Sequence, residues 1–127
     1  MNLEKLTAKD IMRKDVVTID ANEIVGAARL KMLRQGIGGL PVLKWGKLVG
    51  MITFRDIELA GKEVIGLKVK DLMSKNVVSI KPETTLKEMV KIVREKGYQR
   101  LPVVKKGKVV GIVTQSCLID VLKELLK

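Results

Sequence analysis

The sequence predicts an α/β fold of two β-α-β-β-α repeats packed as a pseudo-dimer, with small sheets covered by helices. Three observations predict it. The first is an internal repeat at a constant offset of 61 positions: aligning residues 10–57 with 71–118 gives 16 identical pairs in 48. The second is that each copy passes from helical periodicity to two strands joined by a two-residue turn. The third is size. At 127 residues and 46% hydrophobic content the chain can bury a real core. One copy of about 60 residues is marginal alone, so the two are expected to share a core.

Each element of the first copy has its own signal. Thr7-Ala8-Lys9-Asp10 has the form of a capping box and opens a short helical turn. Val16–Ile19 reads as a strand. Asp20 and Glu23, three positions apart, form a second capping pattern ahead of a helix with Val25, Ala28, Met32 and Leu33 at helical spacing. Gly36 ends that helix. Leu40–Leu43 and Lys47–Thr53 read as strands joined by Trp45-Gly46, and Phe54 to Leu59 as a closing short helix. Gly61–Gly66 reads as a linker. The second copy repeats this order, with Gly97 ending its long helix and Lys106-Gly107 as its turn. Its last helix is longer, and Leu118, Ile119, Leu122, Leu125 and Leu126 form an apolar stripe on it. Domains are expected over residues 8–66 and 69–127.

Composition excludes several chemistries. There is no histidine, so no Ser-His-Asp or Cys-His nucleophile can be assembled, and a zinc site would need mainly carboxylates. Neither an enzyme nor a metal site is expected. Cys117 is the sole cysteine, which rules out an internal disulfide and fits a reducing cytoplasm. Its ordinary role is a small buried hydrophobe. No apolar run approaches the roughly 20 residues of a membrane span, and Met1 leads straight into charged residues, so neither membrane association nor a signal peptide is expected.

The chain carries 25 basic and 14 acidic residues, for a net charge of +11. Up to Gly61 there are 10 basic and 7 acidic residues; beyond it there are 15 and 7. Such a balance favours anionic partners (nucleic acid, acidic proteins, phosphate-bearing small molecules) or simply makes a lysine-rich solvated surface. Trp45, Phe54 and Tyr98 are the only aromatics, too few for a nucleic-acid stacking platform. No helix-turn-helix, zinc-finger or RNA-recognition signature accompanies the charge.

Asp10-Ile11-Met12 recurs as Asp71-Leu72-Met73, and Leu40-Pro41-Val42 as Leu101-Pro102-Val103. With Gly50-Met51-Ile52-Thr53-Phe54-Arg55-Asp56, these motifs make residues 8–126 resemble a tandem pair of CBS domains. The family is named after cystathionine β-synthase, and the pair is often called a Bateman module. The resemblance implies pseudo-twofold symmetry and a regulatory ligand-binding module. Its effectors would be adenosine-containing ligands such as AMP, ATP or S-adenosylmethionine, with no further cofactor. Two clefts between the repeats are implied, each taking a ribose motif from one repeat and a base-contacting strand from the other.

In the better cleft, the resemblance assigns Met51, Thr53, Arg55 and Asp56 from the ribose motif. Val78, Ser79 and Ile80 would hold the base, with Gln99, Arg100 and Pro102 beside them and Arg100 or Arg55 facing phosphate. An aspartate opening a helix can accept hydrogen bonds from both ribose hydroxyls, and a guanidinium suits a phosphate bidentately. The plainer reading of Asp56 is a helix-end stabiliser, and that of Val78–Ile80 is strand core. The second cleft would use Val17, Thr18, Ile19, Gly39, Thr114 and Cys117. There Cys117 replaces the ribose acid, and Gly38-Gly39 replaces Gln99-Arg100. A thiol is a weak donor and poor acceptor, so one good site and one poor site are expected.

The resemblance also implies a homodimer through the helices at 54–60 and 115–126, burying Ile57, Leu59 and the apolar stripe. Because the chain stops at Lys127, a separate effector protein is expected to receive the signal. Two other functions fit the residues less well: a basic nucleic-acid-binding protein, and a structural subunit with a vestigial nucleotide site.

Overall fold

The computed structural model describes residues 2–127. In chain order, a 3-10 turn at Leu3–Lys5 precedes α1 (Ala8–Ile11), β1 (Ile19–Asp20), α2 (Val25–Gln35), β2 (Gly39–Lys44), β3 (Lys47–Thr53) and α3 (Phe54–Ala60). A second 3-10 turn at Lys62–Val64 leads to α4 (Val69–Leu72), α5 (Leu86–Lys96), β4 (Arg100–Lys105), β5 (Lys108–Thr114) and α6 (Gln115–Leu125). Small helix-covered sheets appear as expected, and the repeated order is plain.

The chain folds as two compact units whose limits cut across the repeats. One comprises Val17–Val77; the other joins the N-terminal stretch up to Val16 to Val78–Lys127. Each unit therefore borrows the short opening helix of the other repeat. The buried residues also form two separate clusters, where one shared core was expected. Val69 lies fully buried among Val25, Met32, Leu40 and Ile52, and Ala8 lies fully buried among Met89, Leu101, Val103 and Cys117. A unit of about 60 residues is marginal, and the borrowed helix adds apolar burial to each.

In the 17–77 unit the sheet order is β1-β2-β3, with β1 parallel to β2 and β2 antiparallel to β3. β1 is shorter than, and shifted from, the expected Val16–Ile19 strand, because the chain enters this unit only at Val17. Asp20 and Glu23 do not cap α2. Ile24 holds the N-cap position, while Asp20 Oδ1 accepts from the Asn22 amide at 2.9 Å. The first amides of α2 donate instead to main-chain carbonyls: Val25 to Leu67 at 2.8 Å and Gly26 to Ile65 at 2.9 Å. The carbonyls of Ile65 and Leu67, at and just beyond the end of the expected Gly61–Gly66 linker, thus act as a backbone cap, since the free amides of a helix N-terminus bond any suitable acceptor. Arg29 ties α2 to α3, bonding Glu58 at 3.1 Å and lying 5.3 Å from the Phe54 ring centre.

The other unit follows the same order but has a two-stranded sheet: the strand expected at Val77–Ile80 is reduced to one bridge, because only Ile80 pairs with β4. β4 and β5 pair antiparallel, Ile80 bridges Val103, and Arg13 bridges Ile112. α5 opens with a reciprocal cap, the Glu88 amide donating to Thr85 Oγ1 at 3.2 Å and Thr85 Oγ1 donating to Glu88 Oε1 at 2.9 Å. Both hairpins turn through paired left-handed residues: Trp45 (φ 53°) with Gly46 (φ 76°), and Lys106 (φ 52°) with Gly107 (φ 80°). That is the geometry matching the right-handed twist of the strands.

The repeated Asp-x-Met motif has a structural use that its spacing alone does not disclose. Met73 packs over Gly50, where a Cβ would lie 2.5 Å from its Sδ and 2.9 Å from the Ser74 carbonyl. Ser74 and Met51 then exchange both backbone hydrogen bonds, at 2.8 and 2.9 Å. Met12 packs over Gly111 likewise, and Arg13 pairs with Ile112. Among the described residues, no helix is long and apolar enough to cross a membrane.

Candidate functional site

The segment Gly50–Asp56 carries β3 into α3, and its polar residues make a reciprocal cap. The Asp56 amide donates to Thr53 Oγ1 at 3.1 Å, and the Thr53 amide donates to Asp56 Oδ2 at 3.3 Å. One carboxylate oxygen is thereby engaged, while Oδ1 accepts from no donor among the described residues, on a half-buried side chain. The helix N-terminus also favours the negative charge. The helix-stabilising reading of Asp56 is therefore true, and it leaves an acceptor for a further donor. Arg55 beside it is exposed and Met51 half-buried.

β2 brings Gly39 directly opposite Thr53 in register, and the Gly38 carbonyl accepts from the first amide of α3, Phe54, at 2.9 Å. The 17–77 unit thus gathers Gly38, Gly39, Thr53 and Asp56 at one end of its sheet. Val17 and Thr18 are half-buried beside β1, and Ile19 is core.

The other unit repeats the frame with different chemistry. Arg100 stands opposite Thr114 in register. Thr114 and Cys117 make the same cap as Thr53 and Asp56, with sulfur in place of a carboxylate oxygen: the Thr114 amide donates to Cys117 Sγ at 3.4 Å, and the Cys117 amide donates to Thr114 Oγ1 at 3.4 Å. Cys117 is 4% exposed and belongs to the core cluster. The thiol preserves the fold of the turn while removing its charge and its strong acceptor.

Arg100 is half-buried, burial pushes its guanidinium below the usual value, and it has no ion-pair partner among the described residues. Gln99 and Ser79 are exposed, whereas Ile80 and Pro102 are buried. The Ile80 backbone is already spent on β4: its amide donates to Pro102 at 2.9 Å and its carbonyl accepts from Val104 at 2.8 Å. Among the described residues no group of three or more His, Cys, Asp or Glu side chains could hold a metal.

The structural role of Gly38 and of the residues after each Asp-x-Met motif was not read from the sequence. The signal that could have found them is the repeat itself, since Met12/Met73 and Gly50/Gly111 recur as pairs.

The repeated frame, a capped helix start facing the residue before Leu-Pro, occurs twice because the chain is a tandem pair of one domain type. The CBS domain model matches residues 8–62 and 69–124, and the chain belongs to the CBS domain family. It is 40% identical over 108 residues to an inosine-5'-monophosphate dehydrogenase of Korarchaeum cryptofilum, a match covering 84% of this chain and 22% of that enzyme. The chain thus spans about a fifth of the length of that relative. It is 32% identical over 111 residues to the CBS domain-containing protein YhcV of Bacillus subtilis, covering 84% of this chain and 79% of the relative. Among solved structures, the CBS domain pair of protein MJ0100 in complex with 5-methylthioadenosine and S-adenosyl-L-methionine superposes with a TM-score of 0.85. The two are 26% identical, over 94% of this chain and 97% of that one. The protein NE2398 gives a TM-score of 0.83 at 29% identity, over 93% and 98% of the two chains.

Proposed function

We propose that this CBS pair is a regulatory module that binds an adenosine-containing ligand and passes the bound state to a partner protein. The observation that carries this reading is the Thr53–Asp56 cap, which holds a carboxylate at a helix start with one oxygen still open to donors. Two adjacent ribose hydroxyls are the donors that such an acceptor suits. The unpaired, half-buried Arg100 supports a phosphate-bearing ligand. The Ile80 backbone is engaged in strand pairing and Val78 packs against its own unit's core, so of the three residues the resemblance assigns to the base, the exposed Ser79 is the one this reading would use to meet an adenine edge. The complex of protein MJ0100 with two adenosyl compounds makes that ligand class the natural first test. Thr114 and Cys117 hold a cap of the same shape without the charge, so the second set of residues binds weakly in this reading.

The nucleic-acid reading rests on net charge alone, and no element found here gives it residue-level support. Calorimetric titration with AMP, ATP and S-adenosylmethionine decides the matter. Saturable binding of at least one, at about one tight site per chain, is expected. Absence of binding by all three at millimolar concentration would leave the vestigial-site reading standing.

A further inference from the structure

The 17–77 unit carries a groove of about 710 Å³ lined by β1, α2 and the end of β2; it shares Thr18 and Ile19 with the weaker set of expected ligand residues and no side chain with the Thr53–Asp56 cap. Its floor is apolar, formed by Ile19, Ala27 and Leu43. Its charged walls come from Asp20, Glu23, Lys31 and Arg34. Among the described residues none of these four forms an ion pair with another. Lys31 Nζ donates to the Thr18 carbonyl at 2.7 Å and Asp20 Oδ1 accepts from the Asn22 amide, while Glu23 and Arg34 side chains have no recorded partner.

The helix field favours acids near the start of α2 and bases near its end. That preference accounts for Glu23 and Arg34, but not for Asp20, which lies on β1. Nor does the fold require these charges. At the positions 61 residues on, Asp20, Glu23, Lys31 and Arg34 become Lys81, Thr84, Ile92 and Glu95. The core positions keep their character between repeats; this charge set does not.

A second, independent feature stands at the groove's end. Gly46 lines it, and Trp45 immediately before is 88% exposed in the left-handed backbone region. A bulky residue there is uncommon and conformationally costly. The matching turn in the other repeat is made with Lys106, so the turn does not need an indole. Its contact within the chain is Lys44 Nζ over the ring at 5.3 Å. Exposed tryptophans beside charged grooves are the usual anchors of protein interfaces.

We infer that this groove is a docking site for a short extended peptide of a partner protein, one with a cationic side chain towards Asp20 and Glu23 and an acidic one towards Lys31 and Arg34. An apolar side chain between them would lie against the floor and Trp45. Glu23 and Arg34 are eleven positions apart. Glu23 lies just before α2, whose own span from Val25 to Gln35 is roughly 15 Å at about 1.5 Å rise per residue, the reach of about five extended residues.

The test uses the acetylated, amidated pentapeptide Lys-Leu-Ala-Leu-Glu and its uncharged analogue Gln-Leu-Ala-Leu-Gln. Binding is followed by calorimetry and by the emission of Trp45, the only tryptophan in the chain. The charged peptide should bind saturably and move the emission to shorter wavelength, and the analogue should bind about tenfold more weakly, the scale of two exposed ion pairs. Glu23→Gln with Arg34→Gln should remove most of that difference, and Trp45→Lys should weaken the calorimetric affinity severalfold. All these side chains are exposed, so the variants should stay folded, losing only the small helix-field contribution of Glu23 and Arg34. Equal affinity for the two peptides, or no saturation at several millimolar, would overturn the assignment. Titration of the Glu23→Gln, Arg34→Gln protein with AMP should match wild type, so failure here is distinguishable from failure of the adenosyl-ligand reading.

Discussion

Asp56 and Cys117 occupy equivalent turns, hold equivalent caps and offer opposite chemistry. Replacing Asp56 by Ala removes both the reciprocal cap and the open carboxylate oxygen. The cap should cost about 1 kcal/mol of stability. The loss of a charged acceptor for two hydroxyls should weaken an adenosyl ligand by about 2–4 kcal/mol, or roughly one and a half to three decades. Cys117→Ala should leave that affinity within about twofold, since a thiol contributes only weak hydrogen bonds. Calorimetry on the two variants separates them, and two equal tight sites in the wild type would contradict the asymmetry. Arg100 gives a complementary expectation. Arg100→Ala should weaken AMP and ATP by about 1–3 kcal/mol while leaving adenosine nearly unaffected. If all three weaken equally, Arg100 does not face phosphate.

At the level of elements, the borrowed helices are what the fold depends on. Gly50→Ala would drive a Cβ to 2.9 Å from the Ser74 carbonyl, a main-chain atom that cannot rotate away. The variant should lose about 1–3 kcal/mol as β3 and the segment after α4 separate, measurable by denaturant unfolding. Gly46→Ala, by contrast, meets open space and suffers only from its positive φ. α1 carries a pH-dependent contact. The Thr7 amide and hydroxyl both bond Asp10 Oδ2, at 2.9 and 3.0 Å, and these bonds with nearby Lys9 hold its carboxyl below the ordinary 3.8. A carboxylate with a depressed folded value favours folding above its unfolded value, and the contribution disappears as pH falls through the depressed one. An NMR titration should find the Asp10 midpoint below 3.8, with the Thr7 amide losing protection over the same range. A midpoint at or above 3.8 would show that the α1 cap does not form in solution.

For the whole molecule, the exposed apolar residues of α6 point to self-association. Ile119 and Leu122 are each 55% exposed and Leu125 41%, and Leu59 on α3 is 75% exposed. Ile57, expected at the same seam, is instead 2% exposed within the core of its own unit. It is the one buried residue of α3, and it belongs to the cluster that includes Val25, Leu40 and Ile52. Leu118, expected in the same stripe, packs against the core of its own unit, so the homodimer we propose is tested at the exposed α6 residues Ile119, Leu122 and Leu125. Leu122→Asp should give a folded monomer, because the side chain is already exposed in the single chain and an aspartate buried at a seam would be unpaired. Unchanged sedimentation of that variant would place the interface elsewhere.

The repeat, its 61-residue period, the hairpins at Trp45-Gly46 and Lys106-Gly107, and the Thr53–Asp56 pair were legible because each depends on neighbours within a few positions. Local signals of this kind survive in a bare sequence: a left-handed turn needs glycine, and a cap needs a short polar pair three residues apart. Which repeat completes which core was not legible. Nothing in Asp10-Ile11-Met12 states that Met12 packs on Gly111, 99 positions away, or that the amides of α2 are capped by Ile65 and Leu67 and not by Asp20 and Glu23. Those choices are made by packing between distant segments, where burial and main-chain hydrogen bonds outweigh a side-chain cap worth about 1 kcal/mol. The sequence by itself determined the repeated elements and the candidate ligand residues. Only the tertiary structure decided that each compact unit takes the opening helix of the other repeat and that Arg100 is half-buried with no carboxylate partner among the described residues.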